Sequence, residues 1–306
     1  MTFDVLCLGE PLIEFNQQSN GSYTSGFGGD TSNSAISAAR QGAKVGYITR
    51  IGGDTFGMDL QKLWASEGVD ATHVETDMNA PTGIYFVNHD RNGHHFSYRR
   101  AGSAASLMTP SFLPEVALKK TKILHVSGIS QAISNTAADT VFQAIEIVRS
   151  SGGKVSYDSN LRLQLWPIER ARSIIHAGMS QCDIALPGLD DAQLLTGLTD
   201  PDSIVDFYLG LGAKVVALTL GARGTLIGTT HDRKVIAAHK VQAVDATGAG
   251  DTFNGAFLAR IAAGDPVFMA ANYANVAAGI STLGYGAVEP IPTQKIVTAH
   301  LQRSAD

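Results

Sequence analysis

Short apolar runs alternate with longer amphipathic ones along most of the chain. FDVLCLGE, VGYITRIG, ILHVSGI, KVSYDSN, CDIALPG and KVVALTLG are brief, nearly continuous apolar stretches. Such runs read as strands buried on both faces. Between them, SNSAISAARQG, TFGMDLQKLWASEG, TAADTVFQAIEIVRSSGG, PIERARSIIHAG and PDSIVDFYLGLGA read as helices, the first two stopped by Gly42 and Gly68. Apolar strands separated by helices predict an α/β fold with a mostly parallel sheet covered on both sides. In such folds ligands bind beyond the carboxyl ends of the strands. One stretch departs from the pattern. GIYFVNHD, RNG and HHFSYRRAG alternate with period two around a turn, which predicts an antiparallel hairpin in a small second sheet. PLIEFNQQ is placed to join it, and the small sheet is placed to act as a lid.

Composition narrows the class. The 306 residues are 44% hydrophobic and 17% charged, with a formal net charge of -5 and no basic block, which argues against nucleic acid as a partner. No apolar run reaches the roughly 18–20 residues that cross a bilayer. MTFDVLCLGEPLIEF has Asp4 and no basic flank, so it reads as a first strand and not as a secretory signal. Cys7 and Cys182 lie in apolar strand-like runs and are expected to be buried, reduced thiols. The expected compartment is the cytoplasm.

Two glycine motifs carry the chemistry. Residues 244–257 read VDATGAGDTFNGAF: Gly248, Ala249 and Gly250, then Asp251, then a helical run. The first N–H groups of a helix face outward and favour an anion, and glycine lets that backbone come close to a phosphate. Asp251 has two readings, a helix cap or a base that takes a proton from an attacking hydroxyl. An anion cradle beside a base is what phosphoryl transfer to an alcohol needs. No G-x-x-x-x-G-K-[ST] occurs, so this is not a P-loop. Near the N-terminus, GFGGDTSNSA places Gly28, Gly29 and Asn33 before a helix. No G-x-G-x-x-G follows the first strand, which argues against a dinucleotide-binding oxidoreductase.

Together GGDTSNSAISAARQG and DATGAGDTFNGAFLA resemble the two signatures of the ribokinase-like, or PfkB, carbohydrate kinases. The resemblance covers nearly the whole chain, including LGEPLIEF and the RIGGDTFG segment. Ala246 stands where that family more often has Thr or Pro. The resemblance implies a three-layer α/β/α sandwich with a small β-sheet lid. It also implies a single domain over 1–306, with lid strands at about 11–27 and 82–101. It implies Asp251 as catalytic base and the backbone of Gly248, Ala249 and Gly250 as anion hole. Thr219, Gly221, Gly224, Asn275 and Ala278, with Gly248 and Gly250, are implied at the nucleotide. ATP and magnesium are the implied cofactors, with a monovalent cation near Asp245 left open. The family's N-x-x-E metal-organising motif is replaced by Gly188-Leu189-Asp190-Asp191, so no protein ligand to the metal is named.

Two further stretches, SYRRAGSAAS and YDSNLRLQLWP, resemble the 2-keto-3-deoxygluconate kinase branch. Arginine pairs a carboxylate bidentately, so Arg100 and Arg162 are expected to hold a sugar acid. The branch adds Gly29, Asn33, Tyr85 and Tyr98 to the sugar pocket. The expected activity is transfer from ATP to the C6 hydroxyl of 2-keto-3-deoxygluconate. The alternatives are a neutral-sugar kinase acting on fructose or ribose, and a non-catalytic sugar or nucleotide sensor. Dimerisation through the lid edge is expected. His94 and His95 are expected on opposite strand faces and not as a metal pair. His125, Trp64 and Trp166 are expected to be buried packing residues.

Overall fold

The computed structural model describes residues 2–90 and 93–303. The expected turn at 91–92 and the side chain of His94 lie outside the described residues. The N-terminal half runs β1 (Val5–Leu8), β2 (Leu12–Gln17), β3 (Tyr23–Gly28), α1 (Asp30–Arg40), β4 (Val45–Gly52), α2 (Thr55–Ser66), β5 (Asp70–Asp77), β6 (Ile84–Asp90) and β7 (Gly93–Arg99). It continues with α3 (Glu115–Leu118), β8 (Ile123–Ser127), α4 (Gly128–Ala132), α5 (Asn135–Ser150), β9 (Lys154–Asp158), α6 (Ile168–Met179), β10 (Ile184–Leu186) and α7 (Leu189–Thr196). The C-terminal part is α8 (Pro201–Leu211), β11 (Val215–Thr219), β12 (Thr225–Thr229), β13 (Arg233–Ile236), α9 (Ala249–Ala263), α10 (Val267–Ser281) and α11 (Gln294–Arg303).

The large sheet has the order β13-β12-β11-β10-β9-β8-β1-β4-β5, parallel from β11 to β5 and antiparallel at β11-β12-β13. Along β1 the side chains alternate between two cores. Leu6 and Leu8 pack with Val141 and Ile145 of α5 and Ile175 of α6, whereas Val5 and Cys7 pack with Ile36 of α1 and Phe253 and Phe257 of α9. Helices therefore cover both faces, giving the α/β/α sandwich expected from the apolar strands. The second sheet has the order β3-β2-β6-β7, and it contains both segments expected to leave the main sheet. Only β2 and β6 are parallel within it. Four strands escaped the periodicity, among them β3, YTSGFG, which only the resemblance placed within the lid. DATHVETD in β5 is a half-exposed edge, and β12 and β13 form an antiparallel hairpin at the opposite edge, where the apolar signal is shorter.

Cys7 and Cys182 are free and buried, and burial pushes both thiols up. Trp64 and Trp166 are buried, and the Trp64 Nε1–H donates to Ser32 Oγ at 3.0 Å. His125 is buried beside Ser156, and burial lowers its pKa to about 4. Among the described residues no helix is long and apolar enough to cross a membrane.

The contact of α1 with α9 sets the site. A Cβ built on Gly255 would lie 2.2 Å from the Ser34 carbonyl oxygen, so the two helices touch backbone to backbone. Ser37 Oγ donates to the Thr252 carbonyl at 2.8 Å, and Ser34 Oγ to that of Asp251 at 3.2 Å. Gly255→Ala is expected to cost about 1–3 kcal/mol through overpacking and to lower turnover as the helices part. Urea unfolding checks this, and an unchanged midpoint would show that the two helices tolerate separation.

Candidate functional site

A cavity of about 640 Å³ opens between the carboxyl ends of the parallel strands and the small sheet. Glu10 follows β1, Asp158 ends β9, Gly188 follows β10 and Thr219 ends β11; all four line it. The small sheet contributes Tyr85, Phe96 and Tyr98. The start of α1 contributes Gly29, Asp30 and Asn33, and the mouth of α9 contributes Gly248, Gly250 and Asp251. This is the place that a parallel sheet predicts for a ligand.

The mouth of α9 depends on glycine. Gly248 is the cap residue at φ 72, and a Cβ there would lie 2.9 Å from Ala287 Cα. Asp245 shapes the approach. Its Oδ1 accepts from the Thr247 amide at 2.9 Å and hydroxyl at 2.7 Å, and its Oδ2 from the Gly286 amide at 2.9 Å. Among the described residues the amides of Gly248, Gly250 and Asp251 find no backbone partner. A Cβ built on Gly250 meets open space, so an anion has room there. The expectation for Ala249 needs correction. Its amide turns back to the Ala246 carbonyl at 3.2 Å, and it does not line the cavity. The tight turn into the helix consumes that donor.

Three aspartates gather at the cavity floor, each held by an asparagine. Asn33 Nδ2 donates to Asp251 Oδ2 at 2.8 Å, Asn160 Nδ2 to Asp30 Oδ2 at 2.9 Å and Asn254 Nδ2 to Asp158 Oδ2 at 2.9 Å. Asp30 Oδ1 also accepts from the Thr31 amide, and Asp158 Oδ1 from the Asn160 amide. Asp251 Oδ1 alone of these six oxygens has no donor among the described residues, which leaves it open to a ligand hydroxyl. Burial, and then the nearby Asp30, raise the Asp251 pKa to about 7; the Asn33 hydrogen bond and Arg162 oppose the rise. Burial, and then the nearby Asp30 and Asp251, push Asp158 up as well. Asn33 Oδ1 is buried without a partner among the described residues, so a second acceptor waits beside the first.

The two arginines differ. Arg162 is exposed in the loop after β9, its Nη1 donating only to the Leu161 carbonyl at 2.8 Å. Among the described residues it has no carboxylate partner within ion-pair distance. Arg100 is buried, and both its Nε, at 2.7 Å, and its Nη2 donate to Glu10 Oε2. Sequence reading left Arg100 unpaired; its fold partner lies 90 residues away. Tyr98 and Arg100 do share a place, with the Arg100 Cζ 5.3 Å from the Tyr98 ring centroid. Tyr85 stacks on Tyr98 at 5.6 Å, and its hydroxyl donates to Glu14 Oε2 at 2.5 Å. Gly29, at φ 104, admits no side chain, since a Cβ would lie 2.4 Å from the Glu10 carbonyl oxygen.

The residues expected at a nucleotide divide. Thr219 lines the cavity with Gly248 and Gly250, whereas Gly221, Gly224, Asn275 and Ala278 do not. Gly221 and Gly224 form the turn from β11 to β12 at φ 60 and 95. Asn275 spends its amide on the fold: its Oδ1 accepts from Thr225 Oγ1, and its Nδ2 donates to the carbonyls of Ile236 and Ala237. It braces the end of β13, whose carbonyls lack a further strand. Ala278 packs against the core. Asp191 Oδ2 accepts from the Leu161 amide at 2.9 Å, which ties α7 to the Arg162 loop. Burial raises its pKa, opposed by that amide and Arg162. Asp190 sits exposed in the first turn of α7.

Sequence reading missed Glu10, Glu14, Asp30, Asp158, Asn160 and Asn254. Each lies inside or beside a motif, but the types Asp and Asn are equally at home in caps and turns. Asn160 carried a signal visible only in three dimensions, the one positive φ, 20°, of a non-glycine among the described residues.

A base poised beside an open anion cradle, in a cavity with two arginines, can move a phosphoryl group onto a bound alcohol. Comparison with known proteins agrees. The model of the "pfkB family carbohydrate kinase" matches residues 2–294. The chain is 33% identical over 279 residues to a 2-dehydro-3-deoxygluconokinase of Thermoproteus tenax, covering 86% of this chain and 83% of that one. It is 32% identical over 308 residues to fructokinase-1 of Oryza sativa subsp. japonica, covering 95% of each. An Escherichia coli protein crystallised with ATP and Mg2+ superposes with TM-score 0.90 at 26% identity, over 98% of this chain and 99% of that one. The chain belongs to the PfkB family of carbohydrate kinases.

Proposed function

We propose that the protein transfers the γ-phosphoryl group of ATP to the C6 hydroxyl of 2-keto-3-deoxygluconate. The observation that carries the sugar-acid reading is Arg162, an arginine at the cavity without a carboxylate partner among the described residues, facing the same space as Asp251. A carboxylate entering the cavity would complete its hydrogen bonds in the fork geometry that guanidinium favours. A curated relative of that activity, from Thermoproteus tenax, supports the reading.

Asp251 Oδ1 takes the proton from the sugar hydroxyl as it attacks. Asn33 holds the other oxygen of Asp251 and so fixes the direction of that acceptor. The free amides of Gly248 and Gly250 stabilise the charge on the transferring group. Thr219 at the end of β11 and the open space at Gly250 fit a triphosphate. Bound Mg2+ would supply neutralisation of the negative charge on the phosphates. Asp191, which lines the cavity and whose Oδ1 has no donor among the described residues, is the carboxylate that would help to hold the ion. The small sheet, which brings Tyr98 and Phe96 to the cavity, would cover the bound substrates and exclude water, which limits transfer to solvent.

A second reading has its own support. Glu10 neutralises Arg100, and four aspartates line the cavity, which suits a neutral polyol better than an acid. Fructokinase relatives match at similar identity, 31–32%, over 94–98% of the chain. ADP release with ATP and Mg2+ tests the two, using 2-keto-3-deoxygluconate, its galactonate epimer, gluconate, fructose and ribose. Turnover confined to the keto-deoxy acids supports the first reading; turnover on fructose or ribose alone sinks it. Arg162→Met is expected to raise the KM of the acid about 10- to 100-fold, the worth of one charged hydrogen-bond pair. The KM for ATP should stay within about twofold. Equal losses for acid and neutral sugars would remove Arg162 from the carboxylate site.

A further inference from the structure

The end of β1 and the root of β7 meet in a buried knot. Glu10 is 1% exposed and Arg100 8%. Glu10 Oε2 receives Nε and Nη2 of Arg100, while Glu10 Oε1 accepts from Ser103 Oγ at 2.8 Å. Gly83, entering β6, leaves no room to spare: a Cβ there would lie 2.9 Å from Glu10 Oε1. A carboxylate this dry persists only with charged and hydrogen-bonded partners. Three contacts thus fix the guanidinium: the carboxylate edge, the Tyr98 ring beneath it and the Ser103 brace behind the carboxylate.

Guanidinium offers five N–H groups in a rigid fork. The Glu10 edge uses Nε and Nη2, and Nη1 finds no partner among the described residues. Both residues line the cavity, so the remaining donor pair faces it. We infer that Glu10 is a positioning residue of the sugar site: it clamps Arg100 from behind so that Nη1 meets the bound sugar. The inference rests on the reading of this cavity as the sugar site. It also explains why an acid stands at a place where it cancels half of the arginine pair's charge. The charge lost to Glu10 is exchanged for a fixed direction, and the clamp ties the lid root to the main sheet.

A double-mutant cycle with Glu10→Gln and Arg100→Met tests it, with sugar KM, ATP KM, kcat and melting temperature read for all four proteins. The sugar is the one that the wild type turns over best. Glu10→Gln alone should raise sugar KM about tenfold, the size of one well-formed hydrogen bond, with ATP KM and kcat within about threefold. In the Arg100→Met background the same change should leave sugar KM unmoved, because its effect passes through Arg100. Equal effects of Glu10→Gln in both backgrounds overturn the inference, as does a lowered melting temperature with unchanged KM, which marks a buttress only. Where Glu10→Gln fails to fold, Glu10→Asp keeps the charge and draws Arg100 back by one methylene. Raised sugar KM in that folded variant supports the clamp, and unchanged KM overturns it. A wild type that turns over no sugar sinks the proposed function and this inference with it; a working wild type with a flat cycle sinks this inference alone.

Discussion

Asp251→Asn lowers kcat about a thousandfold while sugar and ATP KM change only severalfold. A positioned general base contributes about 10²–10⁴ in rate, and the asparagine amide cannot accept the hydroxyl proton. The replacement is close in shape, and its oxygen can still accept from Asn33 Nδ2, now 2.8 Å from Asp251 Oδ2. The neighbouring amides of Gly248 and Gly250 are untouched, so part of the catalysis survives. The same variant should melt higher than the wild type at pH 8. The folded pKa of Asp251 is raised to about 7, against about 3.9 in an unfolded chain. Between those values the folded protein holds a proton that the unfolded chain has lost. The stability from this group is therefore fully present below about pH 4 and disappears as pH rises through 7. At pH 8 the wild type keeps a charged Asp251 beside Asp30, and the variant does not. The gap in melting temperature should close toward pH 4. Retention of more than about a tenth of kcat would remove Asp251 as the base. A variant that melts lower at pH 8 would remove the buried repulsion.

The parts of this protein that were legible in its sequence are the parts encoded locally. Parallel strands buried on both faces show as continuous apolar runs, so β1, β4, β8, β9, β10 and β11 announce themselves. Edge strands do not: β5 alternates around Asp and Glu, and RKVI of β13 is mostly exposed. Gly248, Gly250 and Asp251 were readable because a helix mouth is a few consecutive residues. Asn33 and Asp251 form a bond across 218 positions, and only a family resemblance brought them together in advance. Arg100 shows the limit more clearly. Its location in the cavity followed from strand alternation, but its partner Glu10 follows a different strand, β1, of the other sheet. Asn275 failed in the opposite sense. The family resemblance set it at the nucleotide, whereas its amide is spent on the unpaired carbonyls of an edge strand.

The pH dependence of kcat/KM for the sugar should fall about tenfold per unit below pH 7 and level off above it, because this ratio reports the free enzyme's essential base. The position of the limb follows from the groups around Asp251. Burial and Asp30 push its pKa up, while the Asn33 hydrogen bond and Arg162 pull it down. Asp30→Asn removes the like charge, so the limb should move to lower pH. Asn33→Ala and Arg162→Met each remove a stabiliser of the carboxylate, so the limb should move to higher pH. Asp30 reaches Asp251 through charge alone, since its oxygens are taken by Thr31 and Asn160. Its replacement should therefore shift the profile more than it changes the plateau. Opposed shifts from neighbours on α1 and the β9 loop are hard to produce except by one shared titrating group. A limb near pH 4 in the wild type, or one that stays in place in Asp30→Asn, would show that solvent reaches Asp251 freely and that the aspartate cluster does not tune it. The carboxylates on the cavity floor would then serve only to hold the asparagines, and the proximity of Asp30 would have no part in setting the working pH.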